Sequence, residues 1–245
     1  MILSSGLYQK TPLNTSEIPQ SALNIEHKLR SNPLSWSGQF SPQLIQVLLE
    51  QFAEPGMNIF DPFLGSGTVL LEAGRAGIAA CGTEINPAAV VLSRTYNFIN
   101  IPRKQRRSYL NEIRALLRRK FPRPLPLFQA SGDVPSERTP DDIKQTLTQM
   151  LPVIEGRLQY ELLETLIVLL DFHKPDLSTE KVFSTWQQIA HLIIELPYSK
   201  QPIRVHHADA RQTPLRRSSV DLVITSPPYI NVFNYHQQYR ASMES

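Results

Sequence analysis

Apolar and polar positions alternate along the chain with two different periods, and the changes between them mark its elements. Residues 1 to about 32 keep neither a helical nor a strand period and are interrupted by Pro12 and Pro19, which predicts an extended N-terminal arm. Behind Ser41-Pro42, an N-cap followed by proline at the first helical position, Leu44, Val47, Leu48 and Phe52 share one helical face. Met57 to Phe60 is an apolar run of strand length, and Val69 to Ala76 is amphipathic at helical spacing. Ile78 to Ile85 reads as a second strand, and Asn86-Pro87 opens a helix running to about Phe98. Strand, helix, strand, helix in short units predicts an α/β fold, with a parallel sheet covered by helices on both faces.

From Ile101 the pattern turns helical. Arg103 to Lys120 carries the stripe Leu110, Ile113, Leu116 and Leu117. A proline-rich stretch from Phe121 to Phe128 follows, then three helical segments at about 140–151, 156–172 and 179–196. The second is apolar nearly all round at Leu166 to Leu170, which places it at the centre of a small bundle. Strand patterns return at Ile203 to Ala208 and Val220 to Thr225. The expected organisation is an arm at 1–32, a discontinuous core of about four parallel strands at 33–100 and 201–245, and a helical insertion at 101–200.

Composition narrows the function classes. No run approaches the roughly 18 apolar residues that cross a bilayer, and the N-terminus lacks the pattern of a secretory signal, so a cytoplasmic protein without membrane contact is expected. A single cysteine, Cys81, excludes an intrachain disulfide and a cysteine-based zinc site, and the histidines keep no metal-ligand spacing. No metal is expected. The net charge of +3 says little, but Arg103 to Lys120 sets eight basic residues against one acid. That helix is either a solvated face or a phosphate-contacting one, with Arg107, Arg114, Arg118 and Arg119 as its candidate nucleic-acid contacts.

The candidate chemistry centres on Asp61 to Thr68, DPFLGSGT, where a strand passes through a glycine turn into a helix whose first N–H groups are free to meet a ligand. Asp61, Glu84 and Asp209 each stand at or near the carboxyl end of a predicted strand, where open parallel sheets bind ligands. Glu84 follows the glycine turn at the distance of an acid that accepts from ribose hydroxyls. Leu70 occupies the third glycine position of a dinucleotide fingerprint, and no phosphate-binding G-x-x-x-x-G-K-[ST] loop is present.

DPFLGSGT, then GTEINP, then TSPPY resemble the amino-group DNA methyltransferases, which use S-adenosylmethionine to methylate cytosine N4 or adenine N6. The resemblance covers roughly residues 33–100 and 201–240 and implies a Rossmann-like methyltransferase sheet. It implies a cofactor site containing Phe40, Asp61, Pro62, Phe63, Gly65, Ser66, Gly67, Thr68, Glu84, Asp209 and Ala210. In that site Asp61 and the turn from Gly65 to Gly67 would meet the methionine portion, Glu84 the ribose hydroxyls and Asp209 the adenine amino group. Ser226, Pro227, Pro228 and Tyr229 would form the catalytic pocket. An exocyclic amine is a poor nucleophile because its lone pair is delocalised into the ring. Acceptors at the Ser226 hydroxyl and Pro227 carbonyl would free that lone pair, while Tyr229 stacks on a flipped base. No cysteine lies in this motif, which argues against ring-carbon methylation, and serine in first position leans toward cytosine N4.

The family continues well past this tetrapeptide, whereas 16 residues follow Tyr229 here. The apolar strand DLVIT would then be a bare edge. This predicts a truncated product, a split enzyme completed by a second polypeptide that supplies further strands, or a remnant that binds DNA or a partner without catalysis. RNA is an alternative substrate, since related motifs occur in RNA base methyltransferases.

Overall fold

The computed structural model describes residues 18–25, 30–36, 38–122, 138–172 and 176–227. Beyond a single helical turn at Gln20–Leu23, α1 (Pro42–Phe52) starts at its proline and buries Ile45 and Leu49. Strand β1 (Asn58–Asp61) runs through the glycine turn into α2 (Thr68–Ala76). Gly77, left-handed at φ 69°, ends that helix, with its own N–H on Gly74 O and Ile78 N–H on Ala73 O. This is the paired closure that glycine permits at a helix C-terminus. After β2 (Ala79–Glu84), the Asn86 side chain caps α3 (Pro87–Arg94) by accepting from Ala88 and Ala89 N–H. The helix expected to reach Phe98 tightens to a 3-10 segment at Thr95–Asn100. There the Thr95 hydroxyl bonds back to Leu92 O at 2.6 Å and competes with the α-helical ladder.

With β3 (Ile203–His207) and the two-residue β4 (Leu222–Val223), the strands form one sheet of order β3-β2-β1-β4, every pair parallel. Register separates its faces. Ile59, Ala80 and Ile203 lie in one row and are all buried in the core. The next row is Phe60, Cys81, Arg204 and Val223, where Arg204 is exposed and Val223 is 54% exposed. Helices over both faces were expected from the strand–helix alternation. Among the described residues the helices bury one face and leave Arg204 and Val223 of the other open.

The insertion is helical throughout its described part: α4 (Arg103–Lys120), α5 (Pro140–Met150), α6 (Arg157–Leu170) and α7 (Thr179–Glu195). The apolar α6 packs against α3, α4 and α7, and one continuous buried cluster runs from Leu34 through the sheet into all four insertion helices. The chain enters and leaves this segment at one place. Arg106, 1% exposed, donates to Ile101 O, Ile193 O, Leu196 O and Pro197 O at 2.6 to 3.0 Å, and to Ile99 O at 3.4 Å. Beside it, the Asn100 amide donates to Ser199 O and Gln201 O and accepts from Ile203 N–H.

Candidate functional site

The glycine turn is folded by its own hydrogen bonds. Phe63 N–H donates to Asp61 Oδ1 at 3.0 Å, Leu64 N–H to Thr83 O, and Gly67 N–H to Leu64 O. Gly65 and Gly67 take φ of 51° and 89°, conformations that side chains resist. Space agrees with angle: a Cβ on Gly65 would stand 2.9 Å from the Trp36 ring, and one on Gly67 2.8 Å from the Tyr96 ring.

The three strand-end acids line one cavity, each in a different condition. Asp61 is 2% exposed, and burial pushes its carboxyl up from 3.8 to about 6, against the Thr225 hydroxyl and Phe63 N–H that favour its charge. Glu84 clamps two segments: Oε2 accepts from Gly65 N–H at 2.8 Å, and Oε1 from Ile85 and Asn86 N–H at 2.9 and 2.8 Å. Asp209 is gripped by Arg211 through its side chain, at 2.6 Å for the shortest bond, and through its backbone N–H. These bonds hold the Asp209 carboxyl down at about 2.

Phe40, Asp61, Pro62, Phe63, Gly65, Thr68, Glu84, Asp209, Ala210 and Ser226 all line this cavity. Ser66 turns away to donate to Gln39 Oε1 at 2.7 Å, and Gly67 lies behind the turn against Tyr96. Pro227 is exposed, and Pro228 and Tyr229 fall outside the described residues. Arg107, Arg114, Arg118 and Arg119 are exposed on α4 and do not line the cavity. Sequence reasoning missed Trp36, Gln39, Ile85 and Asn86, which also line it. It also missed Asn32, which donates to Phe40 O and accepts from the Thr68 hydroxyl, binding the segment before α1 to the turn. The available signal was an aromatic pair, Trp36 and Phe40, in an otherwise polar stretch. Among the described residues no group of three or more His, Cys, Asp or Glu is placed to hold a metal, and no helix is long and apolar enough to cross a membrane.

The cavity thus opens at the carboxyl ends of parallel strands and is walled by the DPFLGSGT turn. The family model described as DNA methylase matches residues 9–95, the stretch that carries this turn and Glu84. Over this segment the chain is similar to the DNA methylase family. The type II methyltransferase M.MjaII of Methanocaldococcus jannaschii is 40% identical over 52 residues, 21% of this chain and 10% of the relative. The type II methyltransferase M.BsoBI of Geobacillus stearothermophilus is 39% identical over 69 residues, 28% of this chain and 14% of the relative. The matched segments therefore span a small part of either methyltransferase. No solved structure matches the chain. The parallel sheet with its helices is a Rossmann-like methyltransferase fold, and the position of the cavity is the one in which such sheets hold ligands.

Proposed function

We propose that the cavity binds S-adenosylmethionine and that the chain is the cofactor-binding part of a DNA methyltransferase acting on a base amine, cytosine N4 in preference to adenine N6. The observation that carries this reading is Asp61: a buried carboxyl lining the cavity, raised to about 6 by burial, with no hydrogen bond to its Oδ2 among the described residues. Such a group favours a cationic ligand, because a positive charge beside it offsets the cost of its ionisation. S-adenosylmethionine supplies an electrophilic methyl group, a sulfonium and an ammonium charge. Gly65 lines the cavity, and Phe63 and Ile85, 38% and 60% exposed, offer apolar surface to a purine.

In this reading Asp61 faces the methionine end. Glu84, with three of roughly four acceptor positions taken by N–H groups, accepts a ribose hydroxyl at the remainder. Asp209, held ionised by Arg211, accepts from the adenine amine. The Ser226 hydroxyl and Pro227 carbonyl accept from the target amine, Tyr229 stacks on the base, and the exposed arginines of α4 contact phosphates. A second polypeptide is favoured by one observation: β4 pairs only with β1 among the described strands, and its Val223 is open.

Methyl transfer from labelled S-adenosylmethionine to duplex DNA tests the proposal, run with this chain alone and with the product of the adjacent reading frame. Mass analysis of the digested nucleosides is expected to give N4-methylcytosine, and parallel arms with RNA separate the substrates. Absence of any S-adenosylmethionine binding by calorimetry would defeat the reading.

A further inference from the structure

Resting on that cofactor reading, we infer that Thr225 is a positioning residue: its hydroxyl ties the segment opening with Ser226 to Asp61, so that the cavity's occupant sets that segment in place. β4 is only two residues long, so few bonds hold its end. Ile224 N–H donates to Phe60 O at 3.1 Å, and the Thr225 hydroxyl donates to Asp61 Oδ1 at 2.7 Å. Among the described residues this side-chain bond is the last link to the sheet before Ser226. The same Asp61 oxygen receives Phe63 N–H at 3.0 Å, the bond that opens the glycine turn. One carboxylate oxygen thus joins the turn to the strand leading into the Ser226 segment, while the residue itself faces the cavity.

Hydrogen bonds to an ionised acceptor are roughly twice as strong as neutral ones. A cation in the cavity pairs with the ionised carboxylate and fixes its orientation, and so holds both bonds in place together. Thr225 lies beyond the end of β4, so its hydroxyl is explained by its bond to Asp61 and not by strand propensity. Ser226, the next residue, lines the same cavity and moves with it.

The test is hydrogen–deuterium exchange at the amides of Thr225 and Ser226, with and without saturating S-adenosylmethionine. The full chain is compared with Thr225→Ser and Thr225→Val, and affinity is measured in parallel by calorimetry. Ligand is expected to slow exchange about tenfold in the natural chain and in Thr225→Ser. In Thr225→Val the slowing is lost, although affinity stays within about threefold. Ligand-dependent slowing that persists in Thr225→Val overturns the inference. Should that variant fail to fold, Asp61→Asn at saturating ligand takes its place, since an amide cannot ionise; full slowing there also overturns it. No binding to the natural chain overturns the cofactor reading and this inference with it.

Discussion

Asp61 shows how a residue can work against the stability of its own fold. Its carboxyl is raised from 3.8 to about 6, chiefly by burial, so between those values the folded chain binds more protons than the unfolded one. Its contribution is therefore fully present below about pH 4 and is lost as pH rises through about 6, a change on the order of 3 kcal/mol. Asp61→Asn is expected to remove that slope and to stabilise the chain at pH 7, while weakening S-adenosylmethionine binding; urea unfolding across pH 4 to 8 measures it. Asp209 runs the other way: held down at about 2, its contribution persists above about pH 4 and fades only in stronger acid. Gly82 is a second case at this scale. A Cβ there would stand 2.5 Å from the Asp61 carbonyl oxygen, which is backbone and cannot swing aside. Gly82→Ala is expected to cost about 2 kcal/mol or more, read from the shift in denaturation midpoint.

Among the elements, α4 divides its basic residues between two tasks. Arg106 is buried under five carbonyls, whereas Arg114, Arg118 and Arg119 stand in solvent. Arg106→Ala leaves those carbonyls without their donor and is expected to cost about 3 kcal/mol or more in equilibrium unfolding, with Arg106→Lys recovering only part. Replacing Arg114, Arg118 and Arg119 together with alanine should leave the unfolding midpoint nearly unchanged. DNA titrations at several salt concentrations should then lose about 0.9 from the log–log salt slope for each phosphate contact removed. The sequence made the helix legible by its leucine stripe but not this division: Arg106 is indistinguishable from Arg107 until α7 returns its C-terminal carbonyls to the spot. Caps were legible for the same local reason, as at Asn86-Pro87 and Gly77. The ends of β4 were not, because its length depends on pairing with β1 at residues more than 160 positions away.

At the level of the whole molecule, the sequence suggested a sheet core with a helical insertion, and the buried cluster is continuous across the two. Trp36 beside the glycine turn and Trp186 in α7 belong to it together. Single-tryptophan variants, Trp36→Phe and Trp186→Phe, are expected to report coincident urea transitions, and a displaced transition would mark the insertion as its own folding unit. The strand-end acids were legible in advance because parallel topology brings every carboxyl end to one edge of the sheet. The cavity wall from Asn32 to Phe40 was not, since a segment that folds back on a turn leaves no period behind. The doorway at Asn100 and Arg106 bears on how such a chain can change over time. The segment between about residues 103 and 195 begins and ends on adjoining hydrogen bonds, so residues added in the loops between its helices lengthen it without moving the points where it leaves and rejoins the sheet. Its loops are thereby free to vary, while the buried faces of its helices are held to the sheet they help to cover.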